Sequence, residues 1–192
     1  GFIGNAVSMA LMARGDAVLG IDNCNDYYSL ALKRARLERA RIAADGAFDF
    51  LGVDFADPAA LGAALEGKEF DRLENPRAYA HSNIAGHLEL LEVARHRKVE
   101  HMVYASSSSV YGGNAKLPFS VGDRADHPVS LYAATKRADE LMSETYAHLY
   151  RIPLTGLRFF TVYGPWGRPD MALFLFTEKM LKGEPIPIYN EG

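Results

Sequence analysis

The residues best suited to chemistry are a run of four serines at 106–109 and a tyrosine–lysine pair, Tyr132 and Lys136. Residues 101–105 predict a short buried strand, so the serines follow its carboxyl end, where open parallel sheets bind their ligands. Tyr132 and Lys136 are four residues apart, which puts them on one face of a predicted helix. A free tyrosine has a pKa of about 10 and is a poor base unless a neighbouring cation stabilises its phenolate. Lys136 is placed to be that cation.

Both features also have an ordinary structural interpretation. A tyrosine and a lysine at this spacing are common on the solvated face of a helix. Serines after a strand are equally suited to a plain turn, although their hydroxyls could also meet a substrate oxygen. The two interpretations stay open on these residues alone.

Composition limits the class of protein. With 192 residues, 48% of them hydrophobic, the chain can bury the core of one α/β domain and part of another. Its 21 basic and 24 acidic residues give a net charge of −3 and no electrostatic reason to expect nucleic acid or an anionic membrane. The single cysteine, Cys24, excludes an internal disulfide and suits a reducing compartment. No apolar run approaches the roughly 20 residues of a membrane span and no signal peptide opens the chain, so we expect a cytoplasmic protein with no membrane contact and no metal site.

The first residues are typical of a nucleotide-binding unit. Gly1-Phe2-Ile3-Gly4 precedes a helical pattern over 6–14, and a strand at 17–21 ends on Asp22. Glycines at a helix start let backbone amides approach a pyrophosphate, and an acid about 20 residues later can accept hydrogen bonds from a ribose. A carboxylate at Asp22 would repel the extra phosphate of NADP, so NAD is favoured.

Two interruptions of the pattern predict missing segments. A complete fingerprint would have an apolar strand, central in the sheet, and a further glycine before Gly1. Helices predicted at 57–66 and 78–97 follow each other without the intervening strand that a parallel sheet requires. We therefore expect about a dozen residues, one strand with its loop, to be absent near Arg72, and part of the protein beyond Gly192. The activity predicted below is that of the complete protein, and we expect this polypeptide itself to be inactive.

The remaining elements complete an α/β pattern. An exposed amphipathic helix is predicted at 30–43, with Leu30, Leu37 and Ile42 among its apolar positions and its basic residues solvated. Asp54 follows a strand and could cap a turn or contact adenine, and the loop at 161–169 is rich in glycine and proline, as suits a substrate-facing loop. The other predicted elements are a strand at 48–53, a helix opening at Tyr132 and ending near 150, a strand at 153–160, a helix at 172–182 and a strand at 186–189.

Five motifs in order resemble the extended short-chain dehydrogenases of the NAD-dependent epimerase/dehydratase family. They are Gly1-Phe2-Ile3-Gly4, Asp22-Asn23, Ser106 to Gly112, the Tyr132/Lys136 pair, and Leu157 to Pro165. Two finer stretches, Asp22 to Tyr28 and Gly164 to Met171, are most similar to UDP-glucuronate 4-epimerases. The resemblance covers nearly the whole chain. It implies a Rossmann-like doubly wound parallel sheet over residues 1–160 and the start of a substrate-binding region over 161–192.

The resemblance also implies a cofactor, a reaction and a site. NAD would be held tightly, and carbon 4 of a UDP-sugar would be epimerised through a transient 4-keto sugar. Tyr132 would be the base, Ser107 would hydrogen-bond the reacting oxygen, and Lys136 would hold the ribose and keep the tyrosine ionised. The implied cofactor-binding residues are Gly1, Phe2, Ile3, Gly4, Asp22, Asn23, Asn25, Asp54, Phe55, Ser106, Tyr132, Lys136 and Phe160. The implied substrate-binding residues are Ser107, Ser108, Ser109, Tyr132, Thr161 and Arg168.

UDP-glucuronate would pose a particular hazard, because its 4-keto form is a β-keto acid that loses carbon dioxide readily. Short hydroxyls and a cation can hold the carboxylate out of the decarboxylating geometry, and Ser108, Ser109, Thr161 and Arg168 are the candidates. Arg168 is equally well explained by a structural ion pair.

Several other functions remain open. A UDP-glucose/UDP-galactose 4-epimerase, a UDP-glucuronate decarboxylase and a nucleotide-sugar dehydratase share the expected fold, but dehydratases commonly carry an Asp-Glu pair where this chain has Ser108-Ser109. An inactive NAD-binding regulator is the alternative outside enzymes. Family resemblance further suggests a homodimer built from the helices at 78–97 and 131–150. The apolar faces concerned contain Ile84, Leu88, Leu91, Leu141, Tyr146 and Leu149.

Overall fold

The computed structural model describes residues 1–68, 72–75 and 82–186, and it has the predicted α/β fold with parallel strands. Six helices and five strands alternate along these residues. They are α1 (Phe2–Arg14), β1 (Val18–Ile21), α2 (Leu30–Ala43), β2 (Phe48–Leu51), α3 (Pro58–Ala64), β3 (Arg72–Asn75), α4 (His87–Arg97), β4 (His101–Ser107), α5 (Leu131–Tyr150), β5 (Leu154–Phe159) and α6 (Ala172–Lys182). A π-helical turn, Ser82–Gly86, leads into α4, and a 3₁₀ turn, Ser108–Tyr111, follows β4.

The strands form two parallel sheets rather than the single expected sheet. One sheet pairs β1 with β2, and the other has the order β3-β4-β5. A cavity of about 800 Å³ is lined by both sheets, including Leu19 and Ile21 of β1 and Val103 and Ala105 of β4. The cavity therefore lies between the two sheets.

Local sequence explains where several helices begin. The Asp57 carboxylate accepts hydrogen bonds from the Ala59 and Ala60 amides at 3.0 Å, with Pro58 in the first turn of α3. The Ser130 hydroxyl accepts from the Ala133 amide at 3.1 Å and so caps α5. Side-chain oxygens at these positions satisfy amides that have no partner inside the helix.

The apolar core lies where α4 and α5 pack on β4. Leu90, Leu91 and Ala94 of α4 pack with Met102 and Tyr104 of β4, and all five are buried. Met142 and Tyr146 of α5 pack against the same cluster. The strand that carries the serines is therefore held by helices, which fixes its carboxyl end.

The structure corrects the expectation that no strand separates the helices at 57–66 and 78–97. Residues 72–75 pair in parallel with β4, Arg72 opposite His101 and Asn75 opposite Tyr104. Asparagine and, to a lesser degree, glutamate are depleted in strands, so the sequence of 72–75 gave little indication of a strand that pairs with β4. The predicted helix at 78–97 is described only from residue 82, and most of the predicted strand at 186–189 lies outside the described residues.

A second correction concerns α2. Its bounds are those predicted, but Lys33 and Arg36 are buried whereas Ile42 is 76% exposed. The basic residues of this helix are thus not all solvated, and the apolar positions do not all face the core. Burial of the two cations is tolerated because oxygen atoms accept their hydrogen bonds.

Candidate active site

The serine run divides between two elements. Ser106 and Ser107 are the last residues of β4 and are buried, whereas Ser108 and Ser109 open the 3₁₀ turn and are half-buried. Ser106 donates to Glu140 at 2.6 Å, while the Ser107 oxygen accepts from the Ser109 amide at 3.2 Å. Successive strand residues point to opposite faces, so adjacent serines have different surroundings. The prediction of four serines after the strand is corrected accordingly.

Tyr132 and Lys136 lie in the first turns of α5, beside the end of β4. The Tyr132 hydroxyl is buried, and Lys136 is 3% exposed. The Lys136 ammonium donates to the Ala105 carbonyl and to the Asp139 carboxylate, both at 3.0 Å. Because Ala105 directly precedes the serines, this ammonium lies at the same strand end as Ser106 and Ser107. The structure thus brings the predicted catalytic lysine to the serine end of β4.

A buried polar network extends behind Lys136. Asp139 is 1% exposed, and burial raises the pKa of its carboxyl to about 6 although the charge of Lys136 lowers it. His87 of α4 exchanges a 2.7 Å hydrogen bond with Ser143, and its ring contacts Tyr104. Burial, assisted by the charge of Lys136, lowers the pKa of His87 to about 4, so this imidazole is neutral at pH 7.

Glu140 forms a second network on the same helix. Its carboxylate receives a bidentate pair from Arg158 of β5 at 2.8 and 2.9 Å, as well as bonds from Ser106 and Arg137. Although burial raises the pKa of Glu140, hydrogen bonds from Arg158, Ser106 and Arg137 hold it below its usual value. These bonds fix α5 against the strands that carry the site.

Part of the predicted cofactor set lines the cavity near the amino end of α1. Gly1, Ile3, Gly4 and Asp22 line the cavity between the sheets, together with Phe55. The first turn of α1 has no hydrogen bond from a side-chain cap, and helix amides of this kind are suited to an anionic ligand.

The other predicted cofactor residues are held in turns nearby or lie elsewhere. Asn23 and Asn25 are exposed, and Asn23 donates to Asp54 at 3.1 Å. Asp54 also accepts a hydrogen bond from the Ala56 amide. It therefore caps a turn, which is one of the two roles predicted for it. Phe160 is 55% exposed and stacks near Phe119, and neither phenylalanine lines the cavity.

The predicted substrate residues Thr161 and Arg168 lie on the loop after β5. Thr161 is exposed. Arg168 forms a bidentate ion pair with Asp170, and its guanidinium stands over the rings of Tyr27 and Tyr28. Of the two interpretations left open for Arg168, the structural ion pair is therefore present.

Sequence reasoning missed three residues that support the site: Arg36, Asp139 and Glu140. Asp139 is three residues after Lys136 and so on the same helix face, a spacing that could have suggested the pair. Nothing local announced Arg36, because the two carbonyls that accept three of its hydrogen bonds lie about 130 residues away. In the described ranges, no group of three or more histidine, cysteine, aspartate or glutamate side chains could hold a metal ion, and no helix could span a membrane.

Comparison with known proteins covers the whole chain. A 37.6 kDa uncharacterized protein of Escherichia coli O111:H- is 55% identical over 100% of this chain and 60% of its own length. UDP-glucuronate 4-epimerase 3 of Arabidopsis thaliana is 52% identical over 99% of this chain and 47% of its own length. The chain thus spans 60% or less of these curated relatives.

The match with the Escherichia coli protein also has a length difference. It runs over 205 residues, whereas this chain has 192. The relative therefore carries residues inside the matched region that have no counterpart here. This difference is in keeping with about a dozen residues absent from the chain, but the strand expected among them is present as β3, so only the absence of a loop segment near Arg72 stays a prediction.

Solved structures give the same fold. The UDP-glucuronic acid 4-epimerase of Bacillus cereus, solved with NAD, superposes with a TM-score of 0.87 at 29% identity, covering 100% of this chain and 64% of that one. The UDP-glucose 4-epimerase of Thermotoga maritima, solved with UDP-glucose, has a TM-score of 0.86 at 27% identity and the same coverage. The family model for the NAD dependent epimerase/dehydratase family matches residues 1–192. The predicted Rossmann-like fold is confirmed, and the chain belongs to the NAD-dependent epimerase/dehydratase family.

Proposed function

We propose that the protein containing this chain is an NAD-dependent 4-epimerase of UDP-sugars and that it converts UDP-glucuronate to UDP-galacturonate. The observation that carries the proposal is the position of the Lys136 ammonium, 3.0 Å from the carbonyl that precedes the serine pair and four residues after Tyr132 on one helix. Two Arabidopsis thaliana relatives that are 52% and 50% identical to this chain are UDP-glucuronate 4-epimerases. The Bacillus cereus UDP-glucuronic acid 4-epimerase has been solved with UDP-glucuronic acid and NAD.

The three side chains have separate tasks in this proposal. Tyr132, as phenolate, accepts the proton of the sugar 4-hydroxyl, and Ser107 hydrogen-bonds the same oxygen. Lys136 binds the cofactor ribose and holds the tyrosine ionised by its charge. After the 4-keto sugar rotates and carbon 4 regains hydride on its opposite face, Tyr132 returns the proton to the oxygen of carbon 4, which gives the alcohol of the opposite configuration.

The residues around the cavity fit NAD. The uncapped amides of α1 suit a pyrophosphate, and Asp22 supplies a carboxylate that suits ribose hydroxyls and disfavours a 2′-phosphate. One Asp22 oxygen already accepts from the Cys24 amide at 2.7 Å, which fixes the orientation of the carboxylate. NAD, when bound, takes up the hydride of carbon 4 and returns it.

UDP-glucose is the second candidate substrate, and the arrangement of Arg168 is what favours it. The guanidinium is already paired with Asp170, so a sugar carboxylate would have to compete with an aspartate for it. The near-equal TM-score of the Thermotoga maritima UDP-glucose 4-epimerase is in keeping with this alternative. Comparing kcat/KM for UDP-glucuronate and UDP-glucose decides between the two.

The test of the proposed base is Tyr132→Phe in the complete protein, with products from UDP-glucuronate read by NMR. The phenyl ring keeps the shape of the site and removes the proton acceptor, so turnover should fall by roughly 100-fold or more while NAD stays bound. Tyr150→Phe is the matched control, because Tyr150 lies exposed at the other end of the same helix. Activity of Tyr132→Phe above about a hundredth of wild type would contradict the assignment.

We also propose that the protein is a homodimer through α4 and α5. Leu88 of α4 and Leu141 and Leu149 of α5 are exposed apolar side chains, whereas Leu91 is buried in the core. Light scattering at micromolar concentration tests the dimer, and a monomer would contradict it. The cytoplasmic location stays a prediction, which cell fractionation would test.

A further inference from the structure

One arginine connects two segments that are far apart in the sequence. Arg36 of α2 is 2% exposed, and its guanidinium donates to the Trp166 carbonyl at 2.6 and 3.1 Å and to the Gly167 carbonyl at 3.1 Å. A further nitrogen donates to the Tyr28 hydroxyl at 2.6 Å. A buried guanidinium with four such bonds holds the loop after β5 against the segment after β1.

The loop that Arg36 holds has a backbone that needs support. Trp166 has φ of 66°, in the left-handed region that a bulky side chain rarely adopts. The Gly167 amide donates a hydrogen bond to the Gly164 carbonyl at 3.0 Å, which closes the turn. Such a conformation persists where its surroundings determine it, and both carbonyls that Arg36 binds belong to this turn.

The same face of α2 fixes the segment after β1. Lys33 donates to the carbonyl and side-chain oxygens of Asn25 at 2.7 and 2.8 Å. The loop after β5 and the segment after β1 are also in direct contact, because the Arg168 guanidinium lies over the rings of Tyr27 and Tyr28. Arg168 is two residues after Trp166, so we expect a displacement of this turn to move Arg168 as well.

We propose that Arg36 is a positioning residue that sets the geometry of the substrate loop, residues 161–170, and through it the affinity for the UDP-sugar. It acts through the loop backbone and does not touch the reacting atoms. The expected effect on UDP-sugar affinity rests on the proposed function. The expected effect on the conformation of the loop does not depend on that function.

The structural readout is hydrogen–deuterium exchange of the complete protein, followed in peptides that cover 161–171. Arg36→Lys keeps the charge but loses the planar fork, so one ammonium cannot replace the bonds to both carbonyls. We expect exchange in this loop to become at least several-fold faster, with exchange in α5 unchanged. Arg34→Lys, an exposed residue of the same helix, is the matched control and should leave the loop unchanged. Equal exchange in wild type and Arg36→Lys would overturn the proposal.

The kinetic readout separates positioning from a general structural role. Arg36→Lys should raise KM for the UDP-sugar by roughly ten- to a hundredfold with a smaller change in kcat, because Ser107, Tyr132 and Lys136 stay in place. A role in charge or packing alone would be rescued by lysine, and that rescue would overturn the proposal. If Arg36 acts through Arg168, the effects of Arg36→Lys and Arg168→Lys on KM should be less than additive, and full additivity would exclude that route.

The two proposals fail in different ways. A wild-type protein without epimerase activity defeats the proposed function, while the exchange experiment still decides whether Arg36 holds the loop. An active wild type whose Arg36→Lys variant keeps its KM defeats only the positioning role.

Discussion

Asp139 and His87 should make opposite contributions to the pH dependence of stability. Burial keeps His87 neutral in the folded protein down to a pKa of about 4, whereas the unfolded chain protonates it below about 6.5. The unfolded state then binds more protons, so stability falls as the pH decreases through this window. For Asp139 the folded pKa is about 6 and the unfolded value about 3.9, so the folded state binds the proton first and stability rises.

The two effects have calculable sizes between pH 7 and pH 5. On going from pH 7 to pH 5, protonation of His87 in the unfolded chain lowers the free energy of unfolding by ~2 kcal/mol. Protonation of Asp139 in the folded protein raises it by ~1 kcal/mol. Asp139→Asn keeps an oxygen for Lys136 but does not titrate, so on going to pH 5 it should lose ~1 kcal/mol more than wild type. His87→Gln keeps a polar partner for Ser143, and it should lose ~2 kcal/mol less than wild type.

Urea unfolding of the complete protein, followed by circular dichroism at one protein concentration, measures these differences. Each variant is compared with itself at the two pH values, so its loss of stability at pH 7 does not enter. The control is His148→Gln on the last turn of α5, where the side chain is exposed. If all proteins change equally, within about 0.5 kcal/mol, the buried network does not carry these linkages.

Three further variants test other parts of the site. Gly112→Ala should cost ~2–4 kcal/mol of unfolding free energy, because φ is 57° and the new Cβ would lie 2.0 Å from the His127 carbonyl oxygen, whereas Gly113→Ala meets nothing within 4 Å and should be nearly neutral by thermal melting. Glu140→Gln should cost about 2–3 kcal/mol, since it removes the charge that two arginines share, and unchanged urea unfolding would refute this. Thr161→Val should let decarboxylated UDP-pentose appear beside UDP-galacturonate, about ten- to hundredfold in partitioning, and NMR showing an unchanged product ratio would contradict a role in holding the carboxylate.

The sequence predicted those elements whose signals are local. The bounds of α2 and α6 are the predicted ones, and α5 begins one residue before Tyr132, where Ser130 supplies a cap. Helical periodicity and caps act within a few residues, so they can be read without knowing the fold. The serines and the tyrosine–lysine pair were found for the same reason.

What could not be predicted depends on distant partners. β3 exists because β4 pairs with it, and its own residues give no strand signal. Lys33 and Arg36 look like part of a solvated basic face, and only carbonyls and side chains outside the helix make their burial tolerable. Asp139 is similarly a typical surface residue by type, and its burial follows from the packing of α5 on β4.

The division of the serine run between a strand and a turn has a consequence for how natural variation in this protein should be interpreted. Ser106 is buried and donates a hydrogen bond to Glu140, so we expect its replacement to lower folding yield and thermal stability. The oxygen of Ser107, its immediate neighbour, accepts from the Ser109 amide, and Ser107 is a proposed substrate-binding residue, so we expect its replacement to lower turnover. In a mutational scan across 106–109, replacements of Ser106 should therefore change stability and replacements of Ser107 should change activity, although the two residues are adjacent and chemically identical. Averaging the effects over all four serines would conceal both results.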